Sequence, residues 1–166
     1  MKTHIVTKDQ LDSNNRYIGN VDLTSFAGHL EIEANLGFVL FSSLRVLGDI
    51  FAKAGSGIKA GWGIEAGEGI EAGWGIEAGS GIKAGEGITC KLKLSFRKRL
   101  FAGTSVYRDM SNEIKEIICG KIEGGTVCYG TVKELGLPDK KPAVKSLSGK
   151  TVKVELDGVS YEAVIK

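Results

Sequence analysis

Six six-residue units follow one another without a break from Gly55 to Cys90: GSGIKA, GWGIEA, GEGIEA, GWGIEA, GSGIKA and GEGITC. A short fixed period of this kind signals a stacked architecture. Ile recurs at 58, 64, 70, 76, 82 and 88, and a small residue follows two positions later each time. In an extended segment residues i and i+2 face the same side, so Ile and Ala point one way and the Lys, Glu or Thr between them points the other. The Gly-x-Gly that follows suits a corner needing positive φ or close backbone approach. A helix is a poor alternative, because two Gly in six residues cost roughly 2 kcal/mol relative to Ala. Collagen needs Gly at every third position with abundant Pro, and the repeat contains no Pro.

The remaining architecture is a parallel β-solenoid with one short strand and one corner per hexad. Three hexads per coil, about 18 residues, would place Lys53 beside Glu71, Lys59 beside Glu77 and Glu65 beside Lys83, each an opposite-charge pair on neighbouring strands. A two-hexad coil would set Glu65 on Glu77, although it would also set Trp62 on Trp74. The three-sided prism is the preferred reading, and the fold class is all-β, a three-sided parallel solenoid with C-terminal β-hairpins.

The register extends beyond the glycine-rich part. Ile32–Ala34, Phe38–Leu40, Leu44–Val46 and Ile50–Ala52 form inward pairs spaced by six, and two extra residues at Lys53–Ala54 shift the phase to Ile58–Ala60. Past Cys90, Leu94–Phe96 and Leu100–Ala102 continue it. The expected organisation is a leader or cap over 1–17, containing a strand near His4–Thr7, and a solenoid over 18–107. A polar break over 108–116 opens a 108–135 cap, where Ile117–Ile122, Gly124-Gly125 and Thr126–Leu135 read as a hairpin. A linker with Pro138 and Pro142 begins the 136–166 segment. Val152, Val154 and Leu156 alternate up to Asp157-Gly158, and Val159, Tyr161, Ala163 and Ile165 alternate away, the pattern of a two-residue hairpin turn.

Composition narrows the classes. The chain has 166 residues, which favours one domain, and a net charge of +2, too small for a whole-chain nucleic-acid or membrane footprint. Cys90, Cys119 and Cys128 are odd in number and lack CxxC spacing, which fits a reducing compartment better than a disulfide framework. The N-terminal MKTHIVTKDQ has no apolar h-region, and the apolar run Leu36–Leu47 is short and contains Arg45, so neither a signal peptide nor a membrane span is expected. A cytoplasmic location follows.

Little in the chain points to catalysis. His4 and His29 have no ligand-spaced neighbours in sequence, Cys90 occupies an inward Ala slot, and no catalytic residue, cofactor or metal site is assigned. Gly55-Ser-Gly57-Ile-Lys-Ala60 matches a dinucleotide fingerprint only because every hexad does, without a βαβ unit around it. Gly149-Lys150-Thr151 resembles the end of a phosphate loop, but Val144 stands where its first Gly is required. Two features suggest a partner surface. Lys91, Lys93, Arg97, Lys98 and Arg99 concentrate positive charge, with Lys91, Lys93, Arg97 and Arg99 expected on one face; this is an anion or nucleic-acid contact, or a charged edge that prevents stacking. Trp62 and Trp74 occupy the outward corner position, where aromatics either bind partners or cover glycine-rich backbone.

The Gly-x-Ile-Glu-Ala phrase, over roughly residues 44–102, resembles bactofilins and related right-handed bacterial solenoids. It also resembles small repeat proteins carried by phages and mobile elements of Gram-positive bacteria. Left-handed hexapeptide acyltransferases place the small residue two before the aliphatic one, the reverse of Ile64-Glu-Ala66. The phage resemblance implies a non-enzymatic inhibitor of a host protein or protein–nucleic-acid complex, for example an anti-CRISPR. The bactofilin resemblance implies self-assembly through solenoid ends, or through the C-terminal hairpin.

Overall fold

A computed structural model describes residues 1–105, 115–138, 151–156 and 159–164, the last two ranges as backbone only. Three parallel sheets wind into a β-solenoid of about 5 turns with roughly 19 residues per turn. The first sheet runs β1 (Lys2–Val6), β2 (Gly28–Ile32), β5 (Ile50–Ala52), β8 (Ile70–Ala72), β11 (Ile88–Cys90), β14 (Glu116–Cys119) and β17 (Thr131–Glu134). The second holds β3 (Gly37–Phe41), β6 (Ser56–Ala60), β9 (Ile76–Ala78), β12 (Lys93–Phe96) and β15 (Lys121–Glu123). The third holds β4 (Leu44–Val46), β7 (Ile64–Ala66), β10 (Ile82–Ala84), β13 (Arg99–Phe101) and β16 (Thr126–Tyr129). A separate antiparallel hairpin joins β18 (Thr151–Leu156) to β19 (Val159–Val164), with Leu156 opposite Val159. The expected Asp157-Gly158 turn, most of the linker, the last two residues of the expected solenoid and residues 108–114 of the polar break lie outside the described residues.

Each hexad supplies one strand whose Ile and Ala line a core shared between coils. Ile64 stands on Leu44 and under Ile82, and Ala66 between Val46 and Ala84. All six repeat isoleucines are at most 2 % exposed. Cys90 fills the inward slot above Ala72, as its place in the repeat predicts.

The glycines serve close approach rather than unusual torsion. Within the repeat only Gly55 has positive φ, at 75°. A Cβ built on Gly85 would lie 1.9 Å from the Gly67 carbonyl oxygen in the coil before it, whereas at Gly63 the nearest atom is 3.4 Å away. At Gly67, Gly79 and Gly85 the first glycine of the corner is held by backbone packing, while Gly63 and Gly69 in the second position have room.

Two of the three predicted charge pairs form. Lys59 Nζ lies 2.7 Å from Glu77 and Lys83 Nζ 3.3 Å from Glu65. The third does not: Glu71 stands beside Phe51, and Lys53 pairs with Glu31 at 2.5 Å. The reason is the extra length at the Lys53–Ser56 corner, which stretches the early coils so that Gly69 meets Asp49, 20 residues before it. Asn35 and Gly55, with φ of 62° and 75°, are stacked at this corner. The buried Ser56 hydroxyl accepts the Leu36 N–H at 3.0 Å and donates to the Glu33 carbonyl, which satisfies it without water.

The early inward pairs are also corrected. Ala34 is exposed, and Val39 and Phe41, not Phe38 and Leu40, face the core, because the left-handed Asn35 and Gly37 reset the strand phase. The solenoid begins before residue 18. β1 already pairs with β2, and Arg16 and Phe26 bridge to Leu40 and Val46 in the next coil. The 3-10 turn at Lys8–Gln10 and the buried Leu11 and Leu23 close this end.

The largest correction concerns 117–135. No hairpin forms: β14, β15, β16 and β17 all pair in parallel with the coils before or after them. Gly124 and Gly125, with φ of 82° and 54°, turn a prism corner instead of reversing the chain. Alternation cannot distinguish a strand's antiparallel neighbour from a parallel one a coil away.

The glycine geometry sets a test. Gly85→Ala should destabilise by about 2 kcal/mol or more, since backbone must move to admit the methyl group, and Gly63→Ala should change urea-unfolding stability little. Equal effects would contradict the packing described.

Candidate functional site

Corners of successive coils stack, so the prism has three edges, and residues far apart in sequence become neighbours along them. At the edge between the second and third sheets, backbone hydrogen bonds run from layer to layer. The Trp62 N–H donates to Ser42, Ser80 to Trp62, and both Arg97 and Lys98 to the Ser80 carbonyl, at 2.9 to 3.0 Å. With coils about 4.8 Å apart, Trp62 lies about 10 Å from the Arg97-Lys98 pair. Arg99 opens β13 beside them, and all three cations are exposed. No ion-pair partner stands against them among the described residues.

Trp74 and Lys91 occupy a different edge, between the first and second sheets, where the Leu92 N–H donates to the Trp74 carbonyl. The basic segment therefore does not present one face. Its residues turn two corners between Lys91 and Arg99. Lys93 Nζ lies 2.7 Å from Glu123, and that ammonium holds the Glu123 carboxyl below its ordinary range.

The tryptophans also differ. The Trp74 ring stacks on Phe38, centroids 5.5 Å apart and planes at 15°, and it is half covered. It seals the widened corner of the early coils. Trp62 is 70 % exposed and walls a shallow depression on the second face with Arg16, Leu40 and Lys59. The third face holds an open groove of about 890 Å³ that reaches from Thr24 to Thr126, with Lys98 and Arg99 at its C-terminal end. Along it Glu65 lies between Arg45 at 3.5 Å and Lys83 at 3.3 Å. Exposed pairs of this kind contribute about 0.2–1 kcal/mol each, so the row is adjustable rather than rigidly locked.

Coil stacking also creates a cluster invisible in sequence. His29, Asp49 and Glu68, on successive coils, bring one ligand-type atom each within 4.8 Å of one another. The Nδ1 lone pair of His29 accepts the Asp49 backbone N–H at 3.0 Å, and one Asp49 oxygen accepts the Gly69 N–H at 2.9 Å. The same Nδ1 lies 3.2 Å from the second Asp49 oxygen and 3.7 Å from a Glu68 oxygen, so the ring accepts from the backbone when Nδ1 is bare and pairs with the carboxylates when it is protonated. His4 packs against Tyr17 in the N-terminal cap, Nε2 to hydroxyl 3.0 Å, and burial lowers its pKa.

The thiols sort by burial. Desolvation first, and then the neighbouring Cys119, push Cys90 up to about 12; desolvation raises Cys119 to about 11. Both are protonated and poorly nucleophilic at neutral pH, while Cys128 on β16 is exposed. Among the described residues no helix is long and apolar enough to cross a membrane. Comparison of the chain with protein-family models, with curated proteins and with solved structures finds no match.

In the folded protein at pH 8, a thiol-reactive disulfide reagent should modify one cysteine per chain rapidly, and all three after denaturation. Fast modification of three thiols in the native state would contradict the burial of Cys90 and Cys119.

Proposed function

We propose that this chain is a rigid, non-enzymatic binding module that grips a macromolecular partner along the edge carrying Trp62, Arg97, Lys98 and Arg99. The observation that carries the reading is the alignment on one edge of an exposed tryptophan and three cations without ion-pair partners among the described residues. Trp and Arg are the residues most enriched among energetically dominant interface positions. A solenoid backbone hydrogen-bonded in every layer supports them with little ordering cost on binding. Trp74, Lys91 and Lys93 lie outside this surface, since Trp74 covers Phe38, Lys93 pairs with Glu123 and Lys91 stands on the other edge. The resemblance to repeat proteins of phages and mobile elements supports a narrower reading, in which the partner is a cytoplasmic host protein, such as a CRISPR–Cas effector, and binding inhibits it.

A second reading, end-to-end self-assembly, is favoured by one observation. At the C-terminal end Tyr129, Val132, Leu135 and Leu137 are exposed around terminal strands β16 and β17. Among the described residues these strands pair on one side only, and an edge of this kind templates further pairing. Light scattering over a concentration series separates the two, because growth in mass with concentration belongs only to assembly.

For the binding reading, wild-type protein and two variants serve as baits against a bacterial lysate. Trp62→Ala/Arg97→Ala/Lys98→Ala should lose at least about tenfold of a captured partner, the effect of about 1.4 kcal/mol, and Trp74→Ala/Lys91→Ala on the other edge should retain it. Equal capture by both variants would remove this edge from the function.

A further inference from the structure

We infer that the groove on the third face takes an extended acidic peptide segment, lying along the solenoid axis with its carboxylates toward Lys98 and Arg99. This rests on the binding-module reading and names the chemistry of the partner. The groove crosses six stacked layers, five coil spacings, from Thr24 in the first to Thr126 in the last. At about 4.8 Å per layer and about 3.3 Å per extended residue, it holds about seven residues. Its floor is low where Gly63 and Gly81 carry no side chain. One wall is polar and uncharged at Ser43 and Ser80, and the other is the Arg45–Glu65–Lys83 row. Among the described residues that line it, four cations face one carboxylate, so the field favours an anion.

The distribution of that charge selects among anions. Arg45 and Lys83 are both engaged by Glu65, which puts a carboxylate at mid-groove, while Lys98 and Arg99 at the C-terminal end have no ion-pair partner among the described residues. A nucleic-acid strand carries a phosphate at every step and would place some of them against Glu65. Single-strand binders also rely on several stacking aromatics, and Phe101 is the one aromatic among the described residues that line this groove. A peptide can cluster its acidic side chains at one end and set neutral residues over Glu65, with the serine hydroxyls meeting its amides. The strands of this face are paired on both sides through its middle layers, so recognition proceeds through side chains and not by strand addition.

The test is fluorescence anisotropy at low ionic strength with two labelled probes. One is an eight-residue peptide with four glutamates at one end and four serines at the other; the second is an eight-nucleotide oligothymidylate. The peptide should bind and the oligonucleotide should bind more weakly. Lys98→Glu/Arg99→Glu should weaken the peptide by about tenfold or more, whereas Lys2→Glu/Lys91→Glu, with the same change in net charge on exposed residues elsewhere, should leave it within about twofold. All four positions are exposed, and circular dichroism checks that each variant folds. Tighter binding of the oligonucleotide, equal loss in the two variants, or no binding of the peptide would each overturn the proposal. If the peptide fails while lysate capture still depends on Trp62, Arg97 and Lys98, the acidic-peptide assignment falls and the binding module stands; loss of both removes the module as well.

Discussion

Every feature of this molecule depends on coil-on-coil stacking at the strand repeat. Each layer satisfies its backbone donors and acceptors with the layers before and after it, and no layer can bury its apolar residues alone. The core is a few side chains across, so within each repeat strand a large inward residue is followed by a small one, and along the axis large stacks on large and small on small. Ile64 and Ala66 occupy one face, Ile70 and Ala72 the next, and Ile76 and Ala78 the third. Corners must then pass close over one another. The carbonyl of Gly67 under Gly85 leaves no room for a methyl group, which explains why glycine persists there although φ is ordinary.

Stacking also decides how surface chemistry is assembled. Neighbours on the surface are one coil apart, so Glu65 meets Lys83 and Arg45 in a single row, and Trp62 shares an edge with Arg97 and Lys98. A run of charges that is compact in sequence is dispersed by the same rule. Lys91 to Arg99 spans two corners, which divides one basic segment between a neutralised face and a charged edge. Function in such a fold belongs to columns and edges, and a rigid frame lets isolated exposed side chains act together.

The central hexads were the easiest part to read, because Ile and Ala at fixed spacing have one good arrangement. The Lys59–Glu77 and Lys83–Glu65 pairs follow from that spacing alone. Reading failed where a local conformation altered coil length. Asn35 in the left-handed region changed which residues of β3 turn inward, and the longer corner at Gly55 moved Lys53 from Glu71 to Glu31. It failed again at 117–135, where Gly124-Gly125 between alternating segments has the appearance of a hairpin turn, and the partner strands lie a whole coil away. The His29–Asp49–Glu68 cluster had no signal in sequence, since only a 20-residue coil brings those side chains together.

The amino-acid sequence by itself determined that this chain winds into a three-sided parallel solenoid, that Ile and Ala line its interior, and that Cys90 belongs to the core. Those properties follow from short-range periodicity, which strand geometry converts directly into facing direction. Tertiary structure alone decided where the winding starts and stops, that Trp74 is architectural cover while Trp62 stands open, and that the cations near Arg97 share an edge with Trp62. These depend on the length of each coil, and coil length is set at corners by single left-handed residues and close backbone contacts that no hydrophobic pattern encodes.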